Sequence, residues 1–169
     1  MADYYTTIVV QTRIPLADMT PLERLVLDRV FNSEIEDGEA YFHKWDGPYL
    51  MPCLPAGDLR QAFAQSADTA SRLADLVREI LAKAAPDAAD IELDLSMFSY
   101  EPIFQDIVRR SQTLGHVSIV ASFDCSKMRP DGFGGMAILI SDDEIFSDST
   151  DGLIEKWLAL VYAGACPKD

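Results

Sequence analysis

The stretch that decides the fold runs from His116 to Ser147, HVSIVASFDCSKMRPDGFGGMAILISDDEIFS. Val117, Ile119, Ala121 and Phe123 recur at every second position, the period that sends successive side chains to opposite faces of a half-buried strand. Met136 to Ile140 is an unbroken apolar run, and Ile145 to Ser147 follows the polar turn Ser141 to Glu144. Strands joined only by turns read as an antiparallel meander. Between the first two lie Pro130-Asp131-Gly132, a turn sequence, and Gly134-Gly135, which suits a bulge or a close backbone approach.

Upstream, Tyr4 to Ile14 holds Thr6, Thr7, Ile8, Val9, Val10 and Thr12, a β-branched run expected in a central strand because it loads both faces. Thr20-Pro21-Leu22-Glu23 starts a helix. The Thr20 hydroxyl caps, Pro21 takes a position where no N-H is needed, and Glu23 reaches back. That helix is expected to run to about Phe31 and bury Leu22, Leu25, Val26 and Val30. Asp37-Gly38 marks a turn before an extended piece, Glu39 to Trp45. Pro48, Pro52 and Pro55 stiffen the apolar segment between Gly47 and Gly57, where regular pairing is not expected.

From Asp58 to Ala84 the apolar spacing predicts one long amphipathic helix, with a break near Ser66 and Thr69 as the alternative. Ile91 to Met97 alternates apolar with polar, predicting a half-buried strand with an acidic outer face. Pro102 opens a further helix, for which Gly115 is the expected C-terminal cap. A last helix is expected from about Thr150 to Gly164, burying Leu153, Ile154, Trp157, Leu158 and Val161 ahead of Pro167.

No linker or internal repeat divides the chain, so residues 1–169 read as one domain. The pattern is α+β: a mostly antiparallel sheet of about five or six strands, with three or four helices packed mainly on one face.

Bulk properties narrow the function classes. The 28 acidic and 14 basic residues give a formal net charge of −14, a surface that repels bare nucleic acid and anionic membrane. No apolar run approaches the roughly 18 residues of a membrane span, and the Met-Ala-Asp-Tyr-Tyr start resembles no signal peptide. Cys53, Cys125 and Cys166 have neither framework nor zinc-site spacing. These features lead us to expect a cytoplasmic protein with free thiols.

The nucleotide, phosphate, metalloprotease and serine-hydrolase motifs are all missing, and no catalytic residue, metal site or cofactor is assigned. The Asp142 to Asp151 segment lacks the liganding pattern of a calcium loop. What stands out is partner chemistry. Trp45, Tyr49 and Met51 border or lie in the Pro-rich loop, and such side chains are enriched where proteins dock.

The acids are clustered: five against one lysine in Glu34 to Asp46, six with no base in Asp87 to Asp106, and six with no base in Asp142 to Glu155. Asp90, Glu92 and Asp94 share one strand face at about 6.6 Å intervals. They would present negative charge to a basic protein or protect a strand edge. The leading expectation is a non-enzymatic protein-interaction module whose partner is a protein, a basic one in particular, with homo-oligomers left open. The alternative is a small-molecule binder or enzyme with a pocket between sheet and helices, using His116, Arg129 and Asp131.

Overall fold

The computed structural model describes residues 2–163. The elements in chain order begin with β1 (Tyr4–Val10), β2 (Ile14–Pro15), α1 (Pro21–Val30), β3 (Asn32–Glu36) and β4 (Glu39–Lys44). Next come β5 (Cys53–Pro55), α2 (Ala56–Gln65), α3 (Arg72–Lys83), β6 (Asp90–Glu92) and α4 (Glu101–Arg110). The chain continues through β7 (Val117–Cys125), β8 (Gly134–Ile140), β9 (Ile145–Ser149) and α5 (Thr150–Ala163). This is an α+β fold built on an antiparallel sheet of seven strands, with β5 and β6 forming a second, two-stranded sheet.

The meander is present: β7 pairs with β8 and β8 with β9, all antiparallel. β1 is central, with β7 on one side and β4 on the other. β3 takes one edge of β4 along its length, while β1 and β2 divide the other edge. The β3–β4 turn places Asp37 at φ 52° and Gly38 at φ 82°, the left-handed pair that a two-residue hairpin demands.

One sheet face is covered. Ile8, Val10, Phe42, Val117, Ile119, Ile138 and Ile140 point into a core shared with the apolar faces of α1 to α4. Phe31, Phe42, Tyr100 and Phe104 pack there edge to face or tilted, with ring centroids 5.2–6.4 Å apart.

Helix α1 carries the full capping box: Glu23 N donates to Thr20 Oγ1 at 3.2 Å and Thr20 N donates to Glu23 Oε2 at 2.9 Å. Glu23 is also fully buried and paired with Arg110 at the end of α4, 2.5 Å away. Thus a local cap also ties α1 to α4.

Five expectations are corrected. The 58–84 helix is two, α2 and α3, as the alternative had it: α2 ends at Ser66, whose hydroxyl donates to Ala62 O at 2.8 Å and accepts from Leu22 N at 3.0 Å. Ser71, not Thr69, caps α3, accepting from Ala74 N at 3.1 Å. The Pro-rich loop does pair: Leu54 sits opposite Ile91, and Pro52 O and Leu50 O accept from Leu93 N and Leu95 N. Its prolines serve there as acceptors or edge residues, so their missing N-H groups do no harm.

The α4 cap is Ser111 rather than Gly115, which lies four residues further on. The fifth correction concerns α5. None of its residues is buried, for a reason given by the sheet's other face. Gly164, Cys166 and Pro167 lie outside the described residues.

Candidate interaction surface

Strand register defines the second face of the large sheet. His43 and Val120 both lie opposite Val9, Ala137 opposite Val120, and Asp148 opposite Ala137. A parallel row joins Ser118, Leu139 and Phe146. Sterically these are the side chains that alternate with the core set, and Val120, Ala137, Leu139 and Phe146 are all exposed. A groove of about 420 Å³ runs along them, with Asp148 and Lys156 at its rim.

Helix α5 leaves β9 without a loop. Its first turn is held tightly: Gly135 N donates to Thr150 Oγ1 at 3.2 Å, and Gly152 N to Ser149 Oγ at 3.0 Å. A Cβ on Gly152 would lie 2.7 Å from Asp148 Oδ1, so this glycine leaves room for the Asp148 carboxylate beside the first turn. Lys156 Nζ then reaches Asp148 Oδ2 at 2.6 Å. Beyond that tie, Trp157 is 59%, Leu160 71% and Tyr162 71% exposed. Ile154, Leu158 and Val161 are exposed as well.

The other end of the same face is aromatic and acidic. A groove of about 470 Å³ is lined by Thr7, Val9, Glu34, Tyr41, His43 and Trp45. Tyr41 and His43 stack at 5.2 Å, and His43 Nε2 lies 3.3 Å from Glu34 Oε1. Trp45, 70% exposed, borders this groove. No family model, curated protein or solved structure matches this chain.

The residues singled out in the sequence scatter over the molecule. Trp45 joins the outer sheet face; Tyr49 is exposed with Lys44 Nζ 5.6 Å from its ring centre, and Met51 is exposed in the loop. Asp90 and Glu92 are exposed on β6, in the small sheet that packs on α2. Asp94 continues their exposed side past the strand end, turned onto Ser96, whose N-H donates at 2.9 Å and whose hydroxyl donates at 2.5 Å. Those two donors hold its carboxyl below the ordinary aspartate range.

His116, Arg129 and Asp131 do not converge. His116 precedes β7 and Arg129 follows it, so the nine-residue strand keeps them about 30 Å apart at 3.3 Å per residue. Arg129 Nε instead pairs with Asp131 Oδ1 at 3.4 Å on the surface. A different recess, about 520 Å³, lies between α1 and α2, with Arg24, Asp28, Asp58, Gln61 and Gln65 among its lining residues.

The outer-face residues and α5 were the surface that sequence reasoning missed. The signal was present in composition. Ile119-Val120 and Ala137-Ile138-Leu139-Ile140 load both strand faces, whereas a sheet with one wet face alternates apolar and polar.

Proposed function

We propose that this chain is a non-enzymatic protein-interaction module whose working surface is the outer face of the large sheet together with α5. The observation that supports the reading is α5 itself, a 14-residue helix whose large apolar side chains are all exposed. Helices of that composition are ordinarily enclosed by protein, and exposed apolar patches of this extent mark docking sites. Trp157 and Tyr162 are side chains of the kind that dominate docking energetics.

The test is affinity capture from native host cells with the wild-type chain, a Trp157→Ala/Tyr162→Ala variant and a Trp45→Ala variant. The α5 variant should lose a partner that the wild type retains, by tenfold or more in affinity. Trp45→Ala should keep its fold, within about 0.5 kcal/mol, because its ring is mostly in water. Retention of every partner by the α5 variant would count against this surface.

A second reading, a small-molecule site, draws on the recess between α1 and α2, whose volume lies within the range of ligand pockets. A metabolite that raises the melting temperature of the wild type but not of Arg24→Ala would favour it.

A further inference from the structure

Resting on the interaction reading, we infer that the occupant of this surface is a second copy of the chain, joined through α5 in a twofold dimer. At 100° per residue, the apolar side chains from Leu153 to Tyr162 spread over roughly 200° of the helix circumference, about twice the stripe that one contact surface requires. The arc is centred near Val161, about 140° around from Lys156 on the same helical wheel. Because Lys156 is tied to Asp148, the centre of the arc faces away from the chain's own sheet. Folding α5 down onto its own molecule would therefore not cover it.

Area selects the occupant. Complete coverage of the large apolar α5 side chains with Val120, Leu139 and Phe146, each 37–71% exposed, would bury on the order of 1,000 Å² per copy, against about 800 Å² per partner in a stable interface. A twofold contact uses the same patch on both copies, so each α5 can lie between its counterpart and the sheet face beside it. Two chains of net charge −14 can meet only where local charge is absent. Residues 157–163, WLALVYA, carry none; the six acids of 142–155, among them Asp151 and Glu155 of α5 itself, end before them. An anionic membrane surface calls for a polar face rich in Lys and Arg, and the only cation of α5, Lys156, already pairs with Asp148.

The experiment is sedimentation velocity of the full chain over 1–100 µM, alongside Leu160→Glu and, as a folded control, Trp45→Ala. Wild type and Trp45→Ala should sediment as dimers, and Leu160→Glu as a monomer with an unchanged far-UV spectrum. A photo-crosslinking amino acid at position 162 of the purified chain should give a product of twice the chain mass, mapped to α5 or to β7–β9 of the second copy. A wild-type monomer throughout the range, or a Leu160→Glu dimer, overturns the inference. If the wild type is monomeric yet the probe at 162 captures a different protein in host cells, self-association is wrong while the interaction reading survives. Loss of both would end that reading as well.

Discussion

At the scale of single residues the most consequential side chain is Glu23, which closes the α1 capping box and pairs with Arg110 from a fully buried position. Burial raises its carboxyl above the ordinary glutamate range, opposed by the Thr20 backbone N-H and by Arg110. A raised carboxyl pKa in the folded state means that the native chain holds this proton more tightly than the unfolded chain. The ionised form therefore costs stability, and that cost grows as pH rises from the unfolded glutamate value through the native one. Glu23→Gln keeps an acceptor for Thr20 N but removes the ionisation. Relative to wild type, its stability should rise between about pH 4.5 and neutrality, read as the difference between two urea-melt series. Arg110→Ala acts in the opposite sense at neutral pH. It strands a buried carboxylate, and should cost about 3 kcal/mol.

At the scale of elements, local chemistry and tertiary contact divide the control. Ser66 shows the division: its hydroxyl ends α2 by bonding Ala62 O, and accepts from Leu22 N in the first turn of α1, 44 positions away. Ser66→Ala should leave the buried Leu22 N-H unpaired and cost about 1–3 kcal/mol in chemical denaturation. An unchanged midpoint would show that another group takes over the N-H. The same residue explains a boundary that periodicity alone misplaced. Apolar spacing runs on from Phe63 to Leu73 as though one helix continued, whereas the backbone leaves the helix at Ser66 and re-enters it only after Ser71. The capping box of α1, the meander and the central position of β1 were legible because each rests on residues adjacent in sequence or on strict period-two patterning. The three-residue strand β5 was obscured by prolines, the alternation at Ile91 to Met97 announced β6 but overran its end at Glu92, and β3, NSEIE, has too few apolar residues to announce itself. For α5 the helix was legible but its environment was not: an apolar stripe tells that a surface will be covered, not by which molecule.

At the scale of the whole molecule, an exposed acidic ridge on the small sheet bears on how partners would be met. The small sheet carries Asp90 and Glu92, with Asp94 just beyond it, all exposed; the far end of α5 carries no charge at all. If a basic protein is steered by the acidic ridge, its association rate with this chain should fall steeply as salt rises, because screening shortens to about 8 Å at physiological ionic strength. Replacing Asp90, Glu92 and Asp94 together by Asn, Gln and Asn should lower that rate at 20 mM salt while leaving the melting temperature nearly unchanged. Dissociation, governed by close contacts elsewhere, should change little. Stopped-flow or surface-based kinetics with the captured partner measures both constants. A rate indifferent to salt and to the triple substitution would assign the ridge a different task, guarding the short β6 strand against pairing with other chains. That task has its own readout, since the neutralised variant would then aggregate on concentration while binding its partner at the wild-type rate.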